Sequence, residues 1–167
     1  LDPQSQKPRT LLPNLYFANG VAVSPDQTFV LVAETGMYRV RRVWLKEPKL
    51  GQNDIFIDNL PGLPDGISSN GRDNFWLALV TPRQALFDKL LPYPFLRKVV
   101  LRLPKFLQPA PQRYSFVLAL DLNGRVVQNL QNGSDDCYAQ IANVVERNGA
   151  LYFGSIGEDT VGRFALK

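Results

Sequence analysis

Gly20-Val-Ala-Val-Ser-Pro-Asp-Gln-Thr-Phe-Val-Leu-Val-Ala-Glu34 is the stretch that decides the fold. Two short β-rich runs, Gly20–Ser24 and Thr28–Ala33, flank Ser24-Pro25-Asp26-Gln27. Pro presets one backbone angle of a tight turn, and Asp can hydrogen-bond its own backbone there, so the stretch predicts a β-hairpin. Two further runs, Arg39–Leu45 and Asp54–Asn59, follow across a Pro- and Gly-containing loop. Four short strands in succession, each joined to the next by a turn, predict one up-and-down antiparallel sheet.

The pattern then restarts. Asp65-Gly66-Ile67-Ser68-Ser69 leads through Asn70-Gly71-Arg72-Asp73 into Asn74-Phe75-Trp76-Leu77-Ala78-Leu79. Laying Asn19-Gly20 on Asp65-Gly66 also lays Phe29 on Phe75 without a gap, a repeat of 46 residues. A third copy runs through Asn143–Gly154 and on to Thr160–Leu166. Repeats of this length with four strands apiece point to a β-propeller, so the expected class is all-β. The expected organisation is a single partial propeller domain over 1–167, with blade repeats at about 17–60, 61–131 and 138–167.

The second repeat is interrupted between its second strand and its third, Ser115–Asp121, by an insert at 81–112; its fourth strand is Val126–Leu130. Two helical patterns, Gln84–Leu91 and Pro94–Leu103, are delimited by Pro92, Pro94 and Pro104. The second gathers Phe95, Val99 and Leu103 on one face and Arg97, Lys98 and Arg102 elsewhere. Such a basic amphipathic helix suits either a lid on the propeller face or peripheral contact with a membrane through 94–105.

Three repeats cannot close a ring. Counting Arg9–Leu15 as an orphan outer strand gives strands in the order 1+4+4+3, about half of a six-bladed propeller. An open ring leaves strand edges exposed. The chain, which starts at Leu1, is therefore expected to be either part of a longer propeller or one half of a homodimer in which Arg9–Leu15 completes the partner's last blade.

Composition narrows the chemistry. The 167 residues are 45% apolar and 20% charged, with a net charge of +4 gathered partly in Arg97–Lys105. Aromatic residues are not interleaved with those cations, so nucleic acid is not an expected partner. No apolar run is long enough to span a membrane, and no secretory pattern opens the chain, which leaves the compartment undetermined. Cys137 is the sole cysteine, so no internal disulfide forms. Histidine is absent, which removes Ser-His-Asp catalysis and His-ligated zinc from this chain.

The quoted stretches resemble the strictosidine synthase-like family, and within it the branch of adipocyte plasma membrane-associated protein. Phe17-Ala-Asn-Gly-Val-Ala-Val-Ser-Pro-Asp26, Asn59-Leu-Pro-Gly-Leu-Pro-Asp-Gly66, Phe75-Trp-Leu-Ala-Leu79 and Leu151-Tyr-Phe-Gly-Ser155 carry the likeness, as does the insert. The resemblance implies a six-bladed ring related to paraoxonases and gluconolactonases, which hold Ca2+ in the central tunnel on Asn, Asp and Glu oxygens. It implies Asn19 and Asp65 as metal ligands, with Ile141 at the third-repeat position. The alternative for both is Asx capping of strand turns.

The activity implied is calcium-dependent hydrolysis of a small-molecule lactone or aryl ester. The alternatives are a non-catalytic propeller that docks on a membrane or protein, and amine–aldehyde condensation. The glutamate that plant strictosidine synthases use for condensation aligns with Ala142, which disfavours that reading. No other catalytic residue stands out beyond Glu34, which could face the tunnel or serve as a salt-bridged strand end. Asp135 and Asp136 read as solvated turn residues.

Overall fold

The computed structural model describes residues 8–84, 95, 102 and 112–166. Eleven strands among them form three antiparallel sheets. The first blade is β1 (Ala18–Val23), β2 (Phe29–Glu34), β3 (Arg39–Trp44) and β4 (Asn53–Ile57). The second is β5 (Gly62–Ser69), β6 (Asn74–Pro82), β7 (Ser115–Asp121) and β8 (Val126–Asn132). The third is β9 (Ile141–Arg147), β10 (Ala150–Ser155) and β11 (Gly162–Ala165). Each sheet runs in chain order from its first strand outward, and β1, β5 and β9 lie side by side as the inner strands. This is a partial β-propeller.

The orphan strand does not form. Residues 9–15 are irregular, with Leu11 exposed. Among the described residues no strand lies alongside to share their backbone hydrogen bonds, and a lone strand without a ladder leaves those groups to solvent. The insert begins later than expected, because β6 continues through Thr81 to Pro82. Gln84 is irregular, Phe95 and Arg102 are helical and exposed, and the remainder of the two helical patterns lies outside the described residues.

The repeat holds, but the gapless superposition does not. In the first blade the hairpin closes with Ser24 N–H donating to Phe29 O; in the second, Asn70 N–H donates to Asn74 O. The second turn is one residue shorter. Inner strands therefore repeat at 46 residues, whereas the second strands repeat at 45, so that Leu31 corresponds to Trp76 and Ala33 to Ala78. A one-residue slip turns every side chain to the opposite face of a sheet. Phe29 and Phe75 are accordingly not counterparts: they meet across the first blade junction, ring centres 6.0 Å apart.

Two cores fill the two junctions. Phe29, Leu31, Ala33 and Val40 of the first blade pack against Ile67, Phe75, Leu77 and Leu118 of the second. On the other side of the second blade, Trp76, Ala78, Val117 and Ala119 pack against Ile141, Val144 and Leu151 of the third. The middle sheet thus buries both faces, which accounts for the nearly unbroken apolar run Phe75–Leu79.

Polar links pin the same junctions. Thr35 Oγ1 donates to Pro64 O at 2.6 Å, and Ser68 Oγ donates to Val144 O at 2.6 Å. Glu146 accepts from Arg72 Nη2 at 2.6 Å, Trp76 Nε1 at 2.7 Å and Asn70 Nδ2 at 3.2 Å. Removing this acceptor leaves the buried Trp76 indole N–H unpaired. Glu146→Ala is expected to cost about 2 kcal/mol, read as a lower urea midpoint at unchanged slope, with Glu146→Gln recovering part of the loss.

Candidate functional site

Each inner strand carries a bulge near its start. Between the pairs Ala18/Glu34 and Val21/Val32, β1 spends an extra residue at Asn19-Gly20; β5 does the same at Asp65-Gly66, and β9 at Ala142. A bulge bends the strand and re-aims side chains. It also lets the inner strands approach each other through glycine. A Cβ added to Gly20 would lie 2.4 Å from Asp65 O, and one added to Gly66 would lie 2.5 Å from Ala142 O and 2.9 Å from Asn143 Oδ1.

These contacts fix the three-fold correspondence. Gly20 sits on Gly66 as Gly66 sits on Asn143, so Asn19 and Asp65 have Ala142 as their third counterpart. Ile141, the expected counterpart, is instead buried in the second junction core.

Asn19 and the strand that carries Asp65 are linked through one hydroxyl. Asn19 Nδ2 donates to Thr35 Oγ1 at 3.4 Å, and Thr35 Oγ1 in turn donates to Pro64 O, one residue before Asp65. The amide oxygen of Asn19 takes no donor among the described residues. The Asp65 carboxylate is half-buried and likewise has no hydrogen-bond or ionic partner among the described residues, and burial pushes its pKa up. Asn143, which the sequence reading did not single out, places Oδ1 at the next junction, where it accepts Val144 N–H at 2.9 Å. The signal was the glycine register: Asn143 stands where the other two repeats have Gly.

Glu34 lies at the same end of the sheet in the opposite environment. It is fully buried; Oε1 accepts Tyr16 N–H at 2.8 Å and Oε2 accepts Arg39 Nε at 2.6 Å. Burial alone would raise its pKa, but the hydrogen bonds from Arg39 and Tyr16, with the charges of Arg39 and Arg41, outweigh it and hold the carboxyl below the usual range. Both oxygens are engaged in tying the entering chain to the first blade. Asp135 and Asp136 are exposed in the β8–β9 loop.

The insert leaves β6 and enters β7 at this same end of the blades. Arg83, at its root, donates from Nη1 to Asn59 Oδ1 at 2.6 Å and lies 4.0 Å from the centre of the Tyr38 ring. Arg113, at its return, donates from Nη2 to Glu158 Oε1 at 2.7 Å and Cys137 O at 2.9 Å. The two ends of the insert are thereby fastened to loops of the first and third blades.

An unpartnered, desolvated carboxylate makes the metal-free fold less stable at neutral pH. Because the folded pKa of Asp65 is raised, its contribution is most favourable at low pH and is lost as pH rises through that value. Asp65→Asn is expected to raise the melting temperature of the chelator-treated protein at pH 7. The advantage should vanish as pH falls below the ordinary aspartate value of 3.8.

The family pattern of strictosidine synthase matches residues 1–48. Adipocyte plasma membrane-associated protein from Rattus norvegicus is 32% identical over 99% of the chain and 46% of its own length. Protein strictosidine synthase-like 10 from Arabidopsis thaliana is 37% identical over 93% of the chain and 43% of its own. The chain thus spans less than half the length of these relatives. Among solved structures, a gluconolactonase from Xanthomonas campestris superimposes on 92% of the chain and 39% of its own, with TM-score 0.56 at 17% identity. The calcium-binding protein regucalcin from Agrobacterium tumefaciens does so on 92% and 43%, with TM-score 0.57 at 17% identity. With three blades in the same order and relatives of this identity along nearly all its residues, the chain belongs to the strictosidine synthase-like family of β-propellers.

Proposed function

We propose that this chain forms half of the tunnel of a calcium-dependent hydrolase acting on lactones or aryl esters. The observation that carries the reading is the Asp65 carboxylate, which is partly desolvated and accepts no hydrogen bond or ion pair among the described residues. A carboxylate kept in that state without a compensating donor suits a cation better than it suits a strand turn. The two donors fit a hard ion: the Asp65 carboxylate and the Asn19 amide oxygen come from corresponding places on neighbouring inner strands, and calcium takes oxygen ligands.

Asp65 and Asn19 would hold the ion; at the next position around the half-ring Ala142 offers no side-chain oxygen. When bound, calcium supplies a Lewis acid that polarises an ester or lactone carbonyl. The chain's own part is to present these oxygens on rigid inner strands and, through Arg83 and Arg113, to hold both ends of the insert at the same end. The gluconolactonase and regucalcin likenesses support the reading at the level of the fold.

One observation favours a second reading, a non-catalytic propeller with a structural ion. Glu34, the other carboxylate at this end, has both oxygens taken, by Tyr16 N–H and Arg39 Nε, and among the described residues no three acidic, histidine or cysteine side chains gather into a group that could hold a metal. Amine–aldehyde condensation has less support, since Ala142 occupies the inner-strand position that would carry its carboxylate.

Calcium titration by calorimetry, with a lactone and phenyl acetate panel run in parallel, separates these readings. The hydrolase reading predicts saturable calcium binding and turnover that chelator abolishes and calcium restores. Asp65→Asn should weaken binding by at least about tenfold, the loss of one charge-assisted contact, and remove turnover. Binding without turnover would support the structural-ion reading. Absence of binding would overturn both.

A further inference from the structure

Asn19 is exposed, and the last torsion of an asparagine side chain has broad, roughly two-fold wells that exchange its oxygen and its nitrogen. Only one of them turns the oxygen toward a cation. Thr35, which faces the amide, is buried and fixed: its N–H donates to Phe17 O at 3.0 Å, and a β-branched side chain has few rotamers. The Thr35 hydroxyl carries a single proton. That proton is committed to Pro64 O at 2.6 Å, because a carbonyl can only accept. Thr35 Oγ1 is left with lone pairs alone, so it can meet the NH2 end of Asn19, as it does at 3.4 Å, and not the oxygen end. A bond of that length is weak. It is enough to choose between two wells and too little to hold two strands together.

The other two repeats show where such a hydroxyl belongs. Ala18 pairs with Glu34, Pro64 with Leu79 and Ile141 with Ser155, which makes these pairs equivalent. The next residues on the inner strands are Asn19, Asp65 and Ala142; the next on the second strands are Thr35, Val80 and Ile156. The hydroxyl accompanies the amide. A carboxylate presents oxygen in either well, and the repeat with Asp65 has Val80, whose side chain forms no hydrogen bond. Ala142 has nothing to orient, and its repeat has Ile156.

We propose that Thr35 is a positioning residue that turns the Asn19 nitrogen inward and so keeps the amide oxygen free to meet a cation. What the oxygen meets rests on the tunnel-ion reading above; the orientation itself follows from the hydrogen bonds alone. Since Pro64 precedes Asp65, the same hydroxyl ties the aim of one ligand to the strand that carries the other. An amide free to flip would leave about half of the molecules ready and weaken binding about twofold. Loss of the hydrogen-bond partner behind a metal ligand typically costs about tenfold or more.

The test compares the full chain with Thr35→Val, which keeps the shape and loses the hydroxyl, and Thr35→Ser, which keeps the hydroxyl. In the chelator-treated protein, the Asn19 side-chain NH2 signals, assigned through Asn19→Ala, are followed by NMR for exchange with water. Slowed exchange is expected in the parent and in Thr35→Ser, and free exchange in Thr35→Val. A role confined to holding Pro64 O would disturb backbone amides of Gly62–Ser69 and leave that side chain unchanged. Calorimetric titration with calcium is expected to give Thr35→Val at least about twofold weaker binding, with Thr35→Ser close to the parent. An Asn19 amide indifferent to Thr35→Val would overturn the proposal, and so would a calcium affinity that the same change leaves intact. A parent that binds no calcium yet slows exchange of the Asn19 amide supports the orientation and overturns the ion reading instead.

Discussion

Glycine at the inner-strand bulges is the constraint on which the rest of the structure depends. Gly20 and Gly66 let one backbone lie directly on the next, at separations no β-carbon could share. That approach sets the angle between blades, and the angle decides which faces meet: Phe29 against Phe75, Trp76 against the third blade. The hydroxyl bridges from Thr35 and Ser68 reach across only because the inner strands are already in contact. The same bulges put Asn19 and Asp65 at successive positions around the half-ring. Packing and candidate chemistry share one geometric cause.

Two carboxylates at one end of the sheets illustrate how environment divides labour. Glu34 is more deeply buried than Asp65, yet it is the one held ionised, because a guanidinium and a backbone amide donate to it. It closes the first blade over the entering chain. Asp65 has the burial without a donor among the described residues. The side chain most buried in this region is thus the structural one, and the partly buried one is the functional candidate.

Much of this was legible in the amino-acid order, and the exceptions have physical reasons. Ser24-Pro25-Asp26-Gln27 announced a turn because Pro and Asp have local backbone preferences, and there Ser24 and Asp26 accept the Thr28 amide. The repeated Asn-Gly and Asp-Gly pairs announced successive inner strands because only glycine fits the approach between blades. What misled was the assumption that matching Phe29 to Phe75 meant matching positions. One residue fewer in a turn is invisible to residue type but reverses the face of every following side chain. Glu146 was not readable as a junction acceptor, since its partners Asn70, Arg72 and Trp76 come from another repeat. Arg9–Leu15 has a strand-like pattern, but strands require neighbours, and the sequence does not state whether one is present.

Replacing Gly66 with alanine tests the central claim most directly. Urea denaturation of Gly66→Ala is compared with Gly154→Ala, whose new β-carbon would have its nearest heavy atom 3.9 Å away. If inner-strand contact organises the blades, Gly66→Ala loses about 1–3 kcal/mol or more through overpacking against backbone, while Gly154→Ala shows no comparable loss. A Gly66→Ala protein as stable as the parent would contradict the account, because the inner strands would then not depend on contact at that glycine.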